Sequence, residues 1–318
     1  MSYLFPLEGK DEEFLLSADL HEEFSNLPLV GKFVSADSVR HVTVLWGPPN
    51  SGKTSNADRL FREMPEADQK KTVCVCYDED LGYEGSGAIF AIPAFKKAYD
   101  AAVALMKKVG RTSEVANKFL EAFRANRSDS QRVRSLTLNK ANEQGFDLLI
   151  DTTSSSKGIL IMCDILRKNT EINKTTEINF LGTTAPLPLA EERSKERNRP
   201  VEYKELYSKR IGAYETFPAI VSAADGFTLY SNPEQGKPAE KVWSYSKRSG
   251  VTYFDPDAYA KMKAYVLSDG EYIKNHKDPE VAAQHEKYVA AVSKMLAVID
   301  ASVRPSFTPR VKGAKFNP

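Results

Sequence analysis

The sharpest chemistry in this chain sits in eight residues, Gly47-Pro48-Pro49-Asn50-Ser51-Gly52-Lys53-Thr54. Their spacing is G-x-x-x-x-G-K-[ST], and each type has a physical task. Glycines let successive backbone N–H groups turn inward around phosphate oxygens. Lys53 brings a cation to the β- and γ-phosphates, and the Thr54 hydroxyl can ligate Mg²⁺. A helix starting at this point adds the positive end of its dipole. The reading is a nucleoside-triphosphate site over Gly47–Ser55, with ATP and Mg²⁺ as cofactors.

Three further groups decide what such a site would do. Asp78-Glu79-Asp80 follows an apolar run. A carboxylate there can accept the proton of an attacking hydroxyl. Asp151 closes the apolar run Phe146–Ile150, a pattern that suits a Mg²⁺-binding carboxylate or one that holds an acceptor's hydroxyl groups. Thr152, Thr153 and Ser154–Ser156 add hydroxyls that can touch an acceptor or cap the next helix. Finally, Leu189–Arg210 carries Arg193, Arg197, Arg199 and Arg210. Arginine bonds phosphate oxygens bidentately, and a lid over about residues 187–211 would close these cations on a triphosphate. Among them Arg197 and Arg210 are the expected clamp. Arg193 and Arg199 are expected on a solvated face with the glutamates nearby.

These residues need strands and helices to carry them. Val39–Trp46 is rich in β-branched residues and runs straight into the loop, which predicts a buried strand. Thr54–Met64 reads as a helix stopped by Pro65. Further strands are predicted at Thr72–Tyr77, Phe146–Asp151, Glu177–Gly182 and Phe227–Ser231. Helical patterns lie between them, and after Asp255 the pattern is helical. Alternating strands and helices predict an α/β fold: a mainly parallel, P-loop kinase-like sheet with helices on both faces. The expected division is an N-terminal extension over 1–38, the core over 39–250, and a helical C-terminal extension with a basic tail over 251–318. Carboxylates and hydroxyls at the ends of parallel strands then face the ligand edge of the sheet.

Composition removes other classes. A net charge of +1 over 318 residues gives no global attraction to nucleic acid or anionic membrane. No stretch reaches the roughly 18 apolar residues of a membrane span. The N-terminus lacks the basic start and apolar run of a signal peptide. Cys74, Cys76 and Cys163 form no disulfide framework, and Cys74 and Cys76 alternate within an apolar run. A reducing, cytoplasmic compartment is expected. The four histidines show no metal-ligand spacing.

Taken in order, the loop GPPNSGKT, the strand end YDED, the stretch QGFDLLIDTT, and Glu196-Arg197 followed thirteen residues later by Arg210 resemble the zeta toxin family of kinases. The likeness covers about Val39–Asn232. It implies that Lys53 binds phosphate, that Thr54 helps to hold Mg²⁺, and that Asp80 activates the acceptor hydroxyl. It further implies that Asp78, Asp151, Thr152 and Thr153 line the acceptor side and that Arg197 and Arg210 clamp the transferring phosphate. The family's bacterial toxins phosphorylate UDP-N-acetylated amino sugars and relatives act on other nucleotides, so the resemblance implies an acceptor of this type, with an antitoxin-like protein inhibitor as the implied partner. Asp151-Thr152-Thr153 stands where E-G-T is usual, which lengthens the pocket by one methylene and stiffens the turn. Two rival readings stand beside this one. A polynucleotide kinase would use Trp243, Tyr245, Lys247 and Arg248 as a strand-end groove. A nucleotide-dependent binding module would have no acceptor at all. A GTPase would show N-K-x-D; the nearest stretch, Asn139-Lys140-Ala141-Asn142, lacks the Asp.

Overall fold

The computed structural model describes residues 14–75, 92–169, 174–196 and 203–303. The first helix, α1 (Ala18–Asn26), is capped by Ser17, whose hydroxyl accepts from the Leu20 amide. After a 3₁₀ turn at Leu27–Leu29 the chain enters β1 (Val39–Trp46). Then follow α2 (Lys53–Glu63), α3 (Glu66–Lys71) and β2 (Thr72–Val75). A helical hairpin of α4 (Pro93–Val109) and α5 (Ser113–Ala125) leads to α6 (Arg127–Gln144) and β3 (Asp147–Ile150). Next come α7 (Gly158–Arg167), β4 (Thr175–Thr184), α8 (Leu187–Glu196), α9 (Tyr203–Ala223) and β5 (Gly226–Ser231). The chain continues through β6 (Glu240–Ser246), β7 (Gly250–Phe254), α10 (Pro256–Lys274), α11 (Pro279–Ala282) and α12 (His285–Val303).

Among the described residues seven strands form one sheet in the order β2-β3-β1-β4-β5-β6-β7. Strands β1 to β5 pair in parallel and β6 and β7 are antiparallel. The sequence reading of a mainly parallel sheet covered on both faces is therefore the observed fold. Strand β1 lies between β3 and β4, with Val42 opposite Leu148 on one side and Ile178 on the other. Its pleat sends Val42, Val44 and Trp46 to one face and Leu45 to the other. Leu45 packs with Ala57 and Phe61 of α2 and with Cys74 and Leu149. Burial pushes the Cys74 thiol up to about 12, as suits a strand thiol in an apolar layer. Trp46 meets Phe217 of α9 edge-on at 5.2 Å, and Phe217 meets Phe227 at 5.0 Å. Each such fully buried side chain contributes roughly 1.5–3 kcal/mol of transfer free energy.

Two features were not read from the sequence. The hairpin β6–β7 extends the sheet, and its Trp243 is fully buried and stacked on Tyr245. The Trp243 indole N–H donates to Ser302 Oγ. Trp243 is thus a core residue and not part of the strand-end groove that a polynucleotide kinase would need. The helices after Asp255 also share the core of the sheet instead of standing apart from it. Met262, Val266, Met295 and Ile299 join Val44, Trp46 and Phe217 in one apolar cluster. Among the described residues no helix is long and apolar enough to cross a membrane.

Candidate nucleotide site

The loop after β1 is shaped by residues that only fit as they are. Gly47 has φ +143°, and a Cβ there would lie 2.2 Å from Thr183 O at the end of β4. The loop thus leaves β1 pressed against its neighbour. Asn50 adopts φ +59°, a left-handed conformation that Asn tolerates better than most side chains. Gly52, φ +83°, is the residue before α2, and it has no side chain to cap the helix. The first amides of α2 are therefore left for another acceptor, the arrangement that seats anions.

Next to β1 in the sheet, β3 delivers Asp151 at its carboxyl end. The Asp151 amide donates to Val75 O at 3.0 Å, which continues the ladder to β2 and fixes the residue. Its Oδ2 accepts from Thr54 Oγ1 at 3.1 Å, and its Oδ1 lies 3.7 Å from Lys53 Nζ. Sheet order thus brings Asp151 to Thr54, 97 positions earlier in the chain, and to its neighbour Lys53. Asp151 stands at the Thr54 side of the loop, the place of a metal-side carboxylate, and this was one of the two alternatives its sequence pattern allowed.

The hydroxyl run after Asp151 bonds largely to itself and to neighbouring backbone. The Ser154 amide donates to Thr152 Oγ1, and Thr153 Oγ1 lies 3.0 Å from Ser155 Oγ. Ser154 is buried at φ +51°, donates to Leu45 O, and its carbonyl accepts from Thr216 Oγ1 at 2.7 Å. None of these serines caps the next helix, although capping was one of the two roles their sequence allowed. The residue before α7 is Lys157, which makes no side-chain cap bond.

The arginines require two corrections. Arg210 is not on a lid. It lies on α9 with 0% exposure and pairs with Asp269 of α10 at 3.0 Å. Its Nη1 also donates to Ala185 O at 2.8 Å. Burial alone would lower the Arg210 pKa, but Tyr214 and Asp269 around it raise it above the usual value. Asp269 is pushed up by burial and pulled back by Arg210 and the Leu187 amide. The thirteen-residue interval was the signal for a clamp, yet helix periodicity turns Arg210 into the core. Arg193, expected on a solvated face, instead reaches the loop. Its Nη1 donates to Asn50 O at 3.3 Å and its Nη2 to Asn232 Oδ1 at 3.2 Å. Burial lowers its pKa, opposed by Glu196 and Glu192. Asn232, which no motif singled out, donates from Nδ2 to Ser51 O at 3.1 Å. The signal for it was available: a polar amide directly after an apolar parallel strand, at the ligand edge.

Asp78, Glu79, Asp80 and Arg197 lie outside the described residues. The stretch Asn139–Asn142, nearest to a GTPase base-reading motif, lies within α6. Asn142 there accepts from Arg40 Nη1, and Lys140 Nζ donates to Ser25 Oγ, so both are structural. Among the described residues there is no group of three or more His, Cys, Asp or Glu placed to hold a metal.

No family model matches the chain, and no curated protein matches it in sequence. Solved structures do match in fold. A chain of the native AvrRxo1-ORF1:-ORF2 complex has a TM-score of 0.50 at 16% identity, covering 90% of this chain and 88% of that one. A chain of the same complex with ATP gives 0.48 at 15%, covering 87% and 84%. A chain from the PezAT chromosomal toxin-antitoxin system of Streptococcus pneumoniae gives 0.48 at 12%, covering 92% and 98%. The likeness to the native complex, at 16% identity, is one of fold and extends over 90% of this chain.

Proposed function

We propose that this protein is an ATP-dependent kinase that moves the γ-phosphate to a hydroxyl of a nucleotide-type small molecule. A UDP-N-acetylated amino sugar is the acceptor we put first. The observation that carries the reading is the convergence of Lys53, Thr54 and Asp151 at an uncapped helix start on the ligand edge of a parallel sheet. This set suits a hard cation that keeps most of its water and takes one or two protein oxygens, as Mg²⁺ does. Thr54 and Asp151 would hold it, and when bound it would neutralise charge on the β- and γ-phosphates.

The chain's own residues would divide the remaining work. The loop amides and the first turn of α2 bind the phosphates, and Lys53 orients them. Asp80 takes the proton of the acceptor hydroxyl. The acceptor oxygen then bonds to the γ-phosphorus as the bond to the β-phosphate breaks, and ADP leaves. Arg197 neutralises charge on the transferring group. Asp78, Thr152 and Thr153 hold the acceptor. The buried position of Trp243 disfavours the polynucleotide reading. The AvrRxo1 structures similar in fold are complexes of two components, and we extend to this chain an antitoxin-like protein partner in the cytoplasm.

The base assignment has a direct test. Asp80→Asn is expected to bind ATP like the parent and to lose phosphoryl transfer by at least about a hundredfold, as removal of a general base does. Asp78→Asn measured beside it should keep most turnover. A larger loss at Asp78 would move the base there, and unchanged turnover in both would remove the base from this segment.

A further inference from the structure

A phosphate loop has two sides. Its amides turn inward on the anion, so its carbonyls turn outward, and buried outward carbonyls need donors. In this protein the donors come from elements far away in sequence. Arg193 of α8 donates to Asn50 O at 3.3 Å, and Asn232 after β5 donates to Ser51 O at 3.1 Å. The two donors are themselves joined, Arg193 Nη2 to Asn232 Oδ1 at 3.2 Å. Arg193 also donates to Glu234 O at 3.1 Å and to Gln235 Oε1 at 2.8 Å. In return Asn50 Nδ2 donates to Ala190 O at 3.1 Å, one turn back along α8. The result is a bracket that ties α8 and the segment after β5 to the outer rim of the loop. It fits so closely that a Cβ on Gly52 would lie 2.1 Å from Asn232 Nδ2 and 3.6 Å from Arg193 Nη1.

We propose that Arg193 and Asn232 are positioning residues for the nucleotide site. They hold the Asn50 and Ser51 carbonyls outward and so keep the loop amides aimed at phosphate before any nucleotide arrives. The inference rests on the reading of residues 47–54 as a phosphate site. Arg193 acts here through the loop and not on the phosphate. Four hydrogen bonds from three of its nitrogens leave its planar fork little freedom to turn elsewhere. Asn232 supplies a donor and an acceptor from one amide, which is why an amide and not a carboxylate suits the position.

The test reads loop order and nucleotide affinity together. ATP with Mg²⁺, and pyrophosphate alone, are titrated by calorimetry into the full chain and into Asn232→Ala, Arg193→Gln, Arg193→Lys and the double variant Arg193→Gln/Asn232→Ala. Hydrogen exchange of the amides in 47–54 is followed in the same proteins. Each neutral single variant should weaken both ligands by about tenfold, the scale of losing one charge-assisted or buried hydrogen bond. Loop exchange should speed up while Tm stays near the parent's. The double variant should lose less than the product of the two singles, because both residues build one bracket. Arg193→Lys should restore affinity only in part. If Asn232→Ala does not fold, Asn232→Ser, with a shorter donor arm, is read in the same way. Unchanged exchange and affinity in Asn232→Ala would overturn the proposal. So would full affinity in Arg193→Lys beside a silent Asn232→Ala, which would make Arg193 a plain charge on the phosphate. Lys53→Ala in the same titration separates the two levels. Parent-like binding there would sink the site itself, whereas its loss beside silent bracket variants would sink this inference alone.

Discussion

Asp151 shows how much one carboxylate can reveal. It accepts a hydrogen bond from Thr54 and lies near Lys53, so it bears on both the cation and the metal-side hydroxyl of the loop. Replacing it with Asn keeps the shape and removes the charge. Asp151→Asn is expected to raise the Mg²⁺ concentration needed for half-maximal turnover by about tenfold or more, the usual scale for groups that orient or ligate a metal. A Mg²⁺ titration of turnover at saturating ATP would check this, and an unchanged midpoint would return Asp151 to the acceptor side. At this scale Lys53 and Thr54 were legible because G-x-x-x-x-G-K-[ST] is a local pattern whose chemistry needs adjacent residues. The pairing of Arg193 with Asn232 was not, because they are separated by 39 positions and meet only through the sheet order.

Helices α8 and α9 were expected to form an arginine-bearing lid, and their packing argues otherwise for the described parts. Leu187 and Ala190 of α8 and Leu206, Tyr207 and Tyr214 of α9 are all buried in the main core. Asp269 ties the pair together, accepting from the Leu187 amide at 2.9 Å and from Arg210. Breaking a buried ion pair from one side leaves an unpaired charge and costs about 3–5 kcal/mol. Arg210→Ala is therefore expected to lose about that much unfolding free energy in urea, with ATP affinity of the folded fraction little changed. Arg210→Met with Asp269→Leu should recover much of it. A variant of parent stability with turnover lost would instead reinstate Arg210 as a phosphate clamp. The sequence could not separate these cases. An arginine at helical spacing looks the same whether its face meets solvent, phosphate or a carboxylate on a helix about 60 residues later.

At the scale of the molecule, the described residues form one sheet with one large core. Five parallel strands were legible because each is a short apolar run bounded by turns, and all but β5 lead on to a helix. Strands β6 and β7 were missed because the half-buried Lys241 and Ser246 and the exposed Glu240, Thr252 and Tyr253 dilute the alternation. The role of the last helices was missed for a different reason. An amphipathic helix does not say what it packs against, and α12 packs on α9 across the far side of the sheet's core. Ending the chain after Phe254 should therefore leave the apolar faces of Trp46, Phe217 and Trp243 uncovered and give an insoluble or unfolded product. A soluble fragment with parent-like near-ultraviolet circular dichroism would show that 255–303 is an independent extension after all.

The central claim is phosphoryl transfer from a nucleotide held by the loop at 47–54. Its most direct test is to incubate the protein with ATP labelled on the γ-phosphate, together with UDP-sugars, free nucleotides and RNA 5′-hydroxyl ends, and to trace the label. The account predicts label on the hydroxyl of a nucleotide-type small molecule, UDP-N-acetylated amino sugars first, with transfer abolished in Lys53→Ala. Release of inorganic phosphate at one rate with or without every acceptor, or transfer by Lys53→Ala at the parent's rate, would contradict it.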